Sequence, residues 1–418
     1  MNNFYASVEL LDRPDLQGRP VAVCGDPASR HGIILAKNQA AKRYGIVTAS
    51  TVWQARRQCP DLVLLSAHHD KYRAYYKIIN QIYGRYTDKV EPFSIDESWL
   101  DVTASRSLFG TGRQIADQIR ATVRRETGLT LSAGVSFNKF FAKMGSDYKK
   151  PDATTEITAE NFRDLLWPLD VARMFMVGRV TASRLRQCGI RTIGDLAGAD
   201  PDFLTGLLGR AGADLHDFAN GIDDRPVALQ NERRKVQSVG HGMTFTKDLA
   251  TEDEIRTAAL ALSDKACARL RKNRMKARGL KVDIKDPAFQ VFSRQTRLPR
   301  ATDNREDIYR TAIRLIDEVL HQKNRSGRRW RQGAPIRLLT VTCIGLTDAD
   351  EEEQLSLFGE ENEKVRAKES HINEAMDHIR SRFGSGAITY ARVIGNDIGL
   401  DEKTYADSHD KDEDNDLP

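Results

Sequence analysis

The stretch that most constrains this chain is EPFSIDESWLDV, residues 91–102. Two adjacent carboxylates, Asp96 and Glu97, stand between two short apolar runs. Apolar flanks ask for burial, and a bare carboxylate resists it unless it is paired or holds a metal. DKVEPFS before the acids and SWLDVT after them can pair as a hairpin, which puts Asp96 and Glu97 near its tip. There the acids either project into a cleft or rest solvated on a surface. In a cleft, paired carboxylates share divalent ions held about 3.5–4 Å apart. Two acids are few for such a site, so further ligands are expected elsewhere.

A chain of 418 residues holds two to four domains. No stretch approaches the ~18 uninterrupted apolar residues of a membrane helix. The opening MNNFYASVELLDR has neither the basic start nor the long apolar run of a signal peptide. Cys24, Cys59, Cys188, Cys267 and Cys343 are scattered, odd in number and without a CxxC pair. That pattern excludes a disulfide framework and a zinc site, and reads as reduced cytosolic thiols. The net charge of +5 conceals an asymmetry. Residues 401–418 are net −6 and residues 347–363 net −8, which leaves +19 on the remainder. A body that basic either faces a polyanion or presents a solvated surface.

Strands and amphipathic helices alternate over the first 158 residues, as in an α+β sheet with helices on one face. The helix expected over 69–86 carries Tyr72, Tyr75, Tyr76, Ile79 and Ile82 on one stripe. Residues 159–226 are mostly helical, and VGRVTASRLRQCGIRTIGDLA reads as a helix, a Gly189 hairpin and a second helix. Such a unit is either a phosphate-backbone-binding helix–hairpin–helix or an ordinary αα-corner. A polar linker over 227–237 precedes a βαββαβ unit of ferredoxin-like order. In that unit Thr251 and Glu254 form a capping box, a later helix is capped at Asp303, and Leu280, Val282 and Ile284 point inward. An acidic segment, a C-terminal helix with a strand, and a disordered acidic tail complete the chain.

Four motifs in order resemble a Y-family DNA polymerase of the bacterial DNA polymerase IV branch. NNFYASVE is similar to the opening strand of that family's palm, and SIDESWLDV to its acidic hairpin. AGVSFNKFFAKMGSDYKKPDATT resembles its later palm strand and nucleotide-contacting helix, and MVGRVTASRLRQCGIRTIGDLA its thumb. The resemblance implies an α+β multidomain right hand. Palm would be 1–9 and 69–158, fingers 10–68, and helical thumb 159–226. The linker 227–237 leads to a little finger over 238–346. An acidic clamp-binding segment over 347–363, a helix and strand over 364–400, and the tail 401–418 follow.

Residue by residue, Asp96 matches the family's metal-binding aspartate and Glu97 its catalytic acid, which also helps hold the metal. Tyr5 matches the steric gate against a ribose 2′-OH, with Phe4 beside it in the sugar pocket. Lys42 and Lys150 match contacts to the triphosphate, whereas Gln39 stands where the family often has a tyrosine. The family's first metal-binding Asp would precede Met1, whose backbone carbonyl would reach one ion, and Asn2 does not replace that Asp. The remaining ligand is therefore expected upstream of the first residue. Otherwise the protein is a catalytically impaired relative that binds DNA and clamp. In QLSLF, Gln354, Leu355, Leu357 and Phe358 resemble the sliding-clamp-binding peptide of bacterial polymerases.

The resemblance implies a DNA-directed DNA polymerase that works with two Mg2+ ions on dNTPs and primer-template DNA. It would be an error-prone translesion enzyme of DNA repair, monomeric, in the bacterial cytoplasm at the nucleoid, with no membrane partner. A different two-metal palm enzyme, such as a nucleotidyl cyclase, fits the thumb motif, the basic little finger and the clamp peptide poorly.

Overall fold

The computed structural model describes residues 1–25, 32–232, 235–321, 330, 333–351 and 363–400. The chain divides into two compact units at residues 233–234.

In the first unit, residues 21–66 build a three-stranded sheet in the order Ile34–Lys37, Val21–Cys24, Val63–Ser66. The central strand is buried along its whole length, which suits its wholly apolar sequence. Helices Gln39–Arg43 and Val52–Gln58 begin at side-chain caps. Asn38 accepts the Ala41 amide, and Thr51 and Gln54 cap each other's backbone.

Helices His69–Tyr83 and Gly112–Thr127 pack Tyr72, Ile79, Ile82, Ile115, Ile119 and Val123 into one core with Phe4 and Val8. Strands Val90–Ser94 and Glu97–Leu100 pair antiparallel with Ser94 opposite Glu97, so the expected hairpin forms. Strands Ala133–Ser136 and Thr154–Ile157 form a separate parallel pair. The sheet expected here is thus in two pieces, bridged by residues 1 and 2. The Met1 amine donates to the Asp96 carbonyl (2.8 Å), and the Asn2 amide donates to the Thr130 carbonyl (3.0 Å).

The opening strand needs correction: Phe4–Leu11 is a helix. Asn3, at φ 52°, turns the chain out of its extended start. Phe4 and Val8 then lie one helical turn apart and both reach the core.

Helix Lys139–Tyr148 lies against strand Ala133–Ser136 at glycine distance. A Cβ on Gly134 would stand 1.9 Å from the Ala142 carbonyl oxygen and 2.5 Å from the Ser146 nitrogen. Both obstacles are backbone, so neither can swing aside. Gly134→Ala is expected to cost at least about 3 kcal/mol, the upper end for overpacking. Urea denaturation measures this, and a loss below about 1 kcal/mol would show that the helix can shift outward.

Residues 162–219 are five short helices around Phe140, Leu166, Leu185, Leu204 and Leu215. Helix Arg179–Gln187, Gly189 at φ 85° and helix Ile193–Ala197 follow one another as expected. Part of the expected linker is docked rather than free. Ala228 donates its amide to Glu91 Oε2 (3.0 Å), and Gln230 donates its amide to the Asp88 carbonyl (2.9 Å).

The second unit has the expected βαββαβ element order: Ser238–Leu249, Glu252–Lys272, Met275–Lys285, Val291–Thr302, Arg305–His321, Ile336–Asp348. Its sheet is not ferredoxin-like. The strand order is third, second, fourth, first, and every neighbouring pair is antiparallel. Leu280, Val282 and Ile284 are buried under the two helices with Leu262, Leu270, Ile308 and Leu315. Thr251 and Glu254 form the expected capping box. The later helix is capped by Asn304, not Asp303: its Oδ1 accepts from the Glu306 amide (2.7 Å) and the Asp307 amide (3.3 Å).

Helix Glu363–Phe383 is present, but the strand expected within 364–400 is replaced by a 3-10 turn at Ala391–Val393. Arg271 pairs with Asp377 through two hydrogen bonds (2.5 and 3.1 Å), and Arg380 pairs with buried Asp264 (2.8 Å). These ion pairs fix the C-terminal helix to helix Glu252–Lys272. All five cysteines are free thiols. The tail 401–418 lies outside the described residues.

Candidate active site

Asp96 and Glu97 stand together at the hairpin tip, their side chains 28% and 29% exposed. Asp96 Oδ1 accepts from Ser94 Oγ (3.1 Å), and Oδ2 lies 3.5 Å from the Met1 amine. Burial holds that amine's pKa below the ordinary value for a chain terminus, although Asp96 pulls it upward. Glu97 Oε1 accepts from Lys143 Nζ (2.6 Å). Burial alone would depress the Lys143 pKa, but its hydrogen bonds to Asp147 and Glu97 win and raise it.

A cavity of about 520 Å³ opens beside the pair. Met1, Asp96, Glu97, Lys143 and Lys150 line it, with Asp223–Val227 on another wall. Four of the expected site residues therefore meet: Met1, Asp96, Glu97 and Lys150. Phe4, Tyr5 and Lys42 do not line this cavity. Phe4 is a buried core residue. The Tyr5 ring stacks on Tyr72 at 3.9 Å and 11°, and the Tyr72 hydroxyl donates to Glu9 Oε1 (2.5 Å). The Lys42 pKa is lowered by burial and by the Lys150 charge, and that of Lys37 by burial and by Lys42. Lys42 feels the Lys150 charge and Lys37 feels that of Lys42, so a bound anion near Lys42 would be favoured. The Asn2 side chain is spent on Thr130 and Ser132, at 3.2 Å each. Gln354, Leu355, Leu357 and Phe358 lie outside the described residues.

The donor set fits a hard divalent cation. Both acids offer carboxylate oxygens, which suit Mg2+ or Mn2+, and both already draw ammonium groups. Among the described residues no cluster of three or more His, Cys, Asp or Glu side chains forms. Sequence reasoning missed Lys143 and Asp147. Spacing was the available signal, because Lys143 and Asp147 fall at i and i+4 on helix Lys139–Tyr148, with Lys150 just beyond its end. It also missed Lys139, whose Nζ meets Glu91 Oε2 at 2.5 Å in a buried pair.

Residues 1–147 match the impB/mucB/samB family, and residues 236–357 match the impB/mucB/samB family C-terminal domain. A DNA polymerase IV of Acetivibrio thermocellus is 42% identical over 384 residues, 92% of this chain and 93% of that protein. A DNA polymerase IV of Bacillus velezensis is 35% identical over 414 residues, 99% of this chain and 95% of that protein. This chain belongs to the Y family of DNA polymerases. A solved Y-family DNA polymerase chimera has the same fold at a TM-score of 0.72 and 23% identity, covering 83% of this chain and 97% of its own. The Y-family right hand, with its βαββαβ little finger, is thus the architecture of this chain. Among the described residues no helix is long and apolar enough to cross a membrane.

Proposed function

We propose that this Y-family chain carries out template-directed, error-prone DNA synthesis across damaged templates. The observation that carries the proposal is the placement of Asp96 and Glu97 at a hairpin tip, beside a cavity that also admits Lys150. In this reading Asp96, Glu97 and the Met1 backbone carbonyl would contribute ligands to two Mg2+ ions. When bound, these would favour ionisation of the primer 3′ hydroxyl and balance charge on the departing pyrophosphate. Lys150 and Lys42 receive the triphosphate, since their mutual repulsion is relieved by an anion. The helix–hairpin–helix around Gly189 grips the phosphate backbone without reading bases. Gln354, Leu355, Leu357 and Phe358 form the clamp peptide of a monomer acting at the bacterial nucleoid, in DNA repair and with a mutator effect.

The test is primer extension with Mg2+ on an undamaged template and on one carrying an abasic site. No synthesis on either would overturn the proposal.

Tyr5 serves as the steric gate in the same reading. Its ring is clamped flat on Tyr72, and Tyr72 is itself tied to Glu9, so Tyr5 cannot easily turn away from an incoming sugar. Tyr5→Ala is expected to lower the preference for dCTP over rCTP opposite G by at least about tenfold, or 1.4 kcal/mol. Steady-state incorporation of the two nucleotides measures it, and an unchanged ratio would place the gate elsewhere.

A further inference from the structure

Four side chains of alternating charge run in line from the hairpin tip. Glu97 Oε1 accepts from Lys143 Nζ at 2.6 Å. The same ammonium donates to Asp147 Oδ2 at 2.9 Å, and Asp147 Oδ1 accepts from Lys150 Nζ at 2.6 Å. The function proposed above uses only the ends, Glu97 toward a divalent ion and Lys150 toward a triphosphate. Asp147 touches neither.

Exposure separates the two middle members. The Lys143 side chain is 12% exposed, and that of Asp147 is 51% exposed. Lys143 therefore depends on carboxylates for compensation, whereas water reaches Asp147. If Lys143 paired with Glu97 alone, an ion that took Glu97 would strand a buried ammonium. Asp147 supplies the second carboxylate. Its helix is held to the hairpin, because Trp99 Nε1 donates to the Lys139 carbonyl (2.9 Å) and Lys139 pairs with Glu91 (2.5 Å).

We propose that Asp147 is a positioning residue that lets the site exchange partners without leaving a bare buried charge. Before loading, all four groups are paired. When a divalent ion takes Glu97 and a triphosphate takes Lys150, the middle pair Lys143–Asp147 stays whole. The inference rests on the polymerase reading for its ligands, and its physical content is that Asp147 sets the affinity of Glu97 for a divalent ion. An ordinary exposed i,i+4 pair would steady the helix slightly and leave metal binding alone.

The test titrates Mn2+ alone into the full chain and follows free Mn2+ by electron paramagnetic resonance. Asp147→Asn is expected to weaken Mn2+ binding at least fivefold, and Asp147→Glu to restore most of it. Lys143→Met is expected to tighten Mn2+ binding, because no ammonium then competes for Glu97. The double variant Lys143→Met with Asp147→Asn is expected to bind at least as tightly as wild type. Unchanged Mn2+ affinity in folded Asp147→Asn would overturn the proposal. So would a loss that Lys143→Met does not relieve. If Asp147→Asn does not fold, Lys143→Met decides alone, and weaker or unchanged Mn2+ binding overturns the exchange. Primer extension by the wild-type chain separates the two claims. An active chain with no Asp147 effect on Mn2+ overturns the exchange only. An inactive chain that shows the effect overturns the polymerase reading and supports the exchange.

Discussion

Glu97→Gln is expected to slow primer extension by about a thousandfold or more, equivalent to roughly 4 kcal/mol of lost transition-state stabilisation. The amide keeps the shape of the side chain and can still accept from Lys143, so the hairpin should stand. What disappears is one of the two negative charges at the hairpin tip, which in the proposed function balance divalent ions and a triphosphate. The side chain is 29% exposed and sits at a turn, so melting temperature is expected to move little. Single-turnover extension with saturating dNTP measures the chemical step directly. Asp96→Asn is expected to behave alike, since Asp96 shares the tip. A loss smaller than about tenfold at Glu97, with the fold intact, would remove this residue from the catalytic role.

The second large effect is on stability. Lys139→Met is expected to cost about 3–5 kcal/mol, the range for removing one partner of a buried ion pair. Lys139 Nζ meets Glu91 Oε2 at 2.5 Å, with both side chains only 10% exposed. The ammonium also donates to the Pro226 carbonyl (3.2 Å) and lies 4.7 Å from the centre of the Trp99 ring. Glu91 is paired across the hairpin with Trp99, and its Oε2 also accepts the Ala228 amide. Methionine fills the space but leaves the buried Glu91 carboxylate without its ammonium partner. Urea denaturation measures the loss, and faster proteolysis within 226–232 should accompany it. Adding Glu91→Gln to Lys139→Met is expected to recover part of the stability, because the stranded charge is gone. A loss below about 1 kcal/mol for the single change would mean that water reaches Glu91.

Local signals in the sequence proved legible. Of the stripe Tyr72, Tyr75, Tyr76, Ile79 and Ile82, all but the half-buried Tyr75 are buried, and the alternation from Leu280 to Ile284 is buried as expected. The Thr251–Glu254 capping box and the acid hairpin also stand where the residue pattern put them. Misreadings arose where short-range chemistry was ambiguous. FYASVELL suits a strand as well as a helix, and only the left-handed turn at Asn3 decides. Asp303 and Asn304 are adjacent and equally able caps, so propensity could not choose between them. Long-range facts were hidden. Glu97 and Lys143 are 46 residues apart, and Lys139 and Glu91 are 48 apart, with no pattern joining either pair. Element order in the second unit was readable, but strand order depends on pairings across a hundred residues.

That strand order also bears on the sequence of events during synthesis. Among the described residues, Ser238–Leu249 has a single neighbour in its sheet, Ile336–Asp348, the last strand to be made. Met275–Lys285 and Val291–Thr302 can zip as a hairpin early, but one edge stays bare until the same late strand arrives between them and the first. About a hundred residues of nascent chain thus wait with open, hydrogen-bond-hungry edges, the condition under which partly made domains stick to one another. The sheet closes only with that strand, and the core only later still, when Val393, Ile398 and Leu400 pack into it.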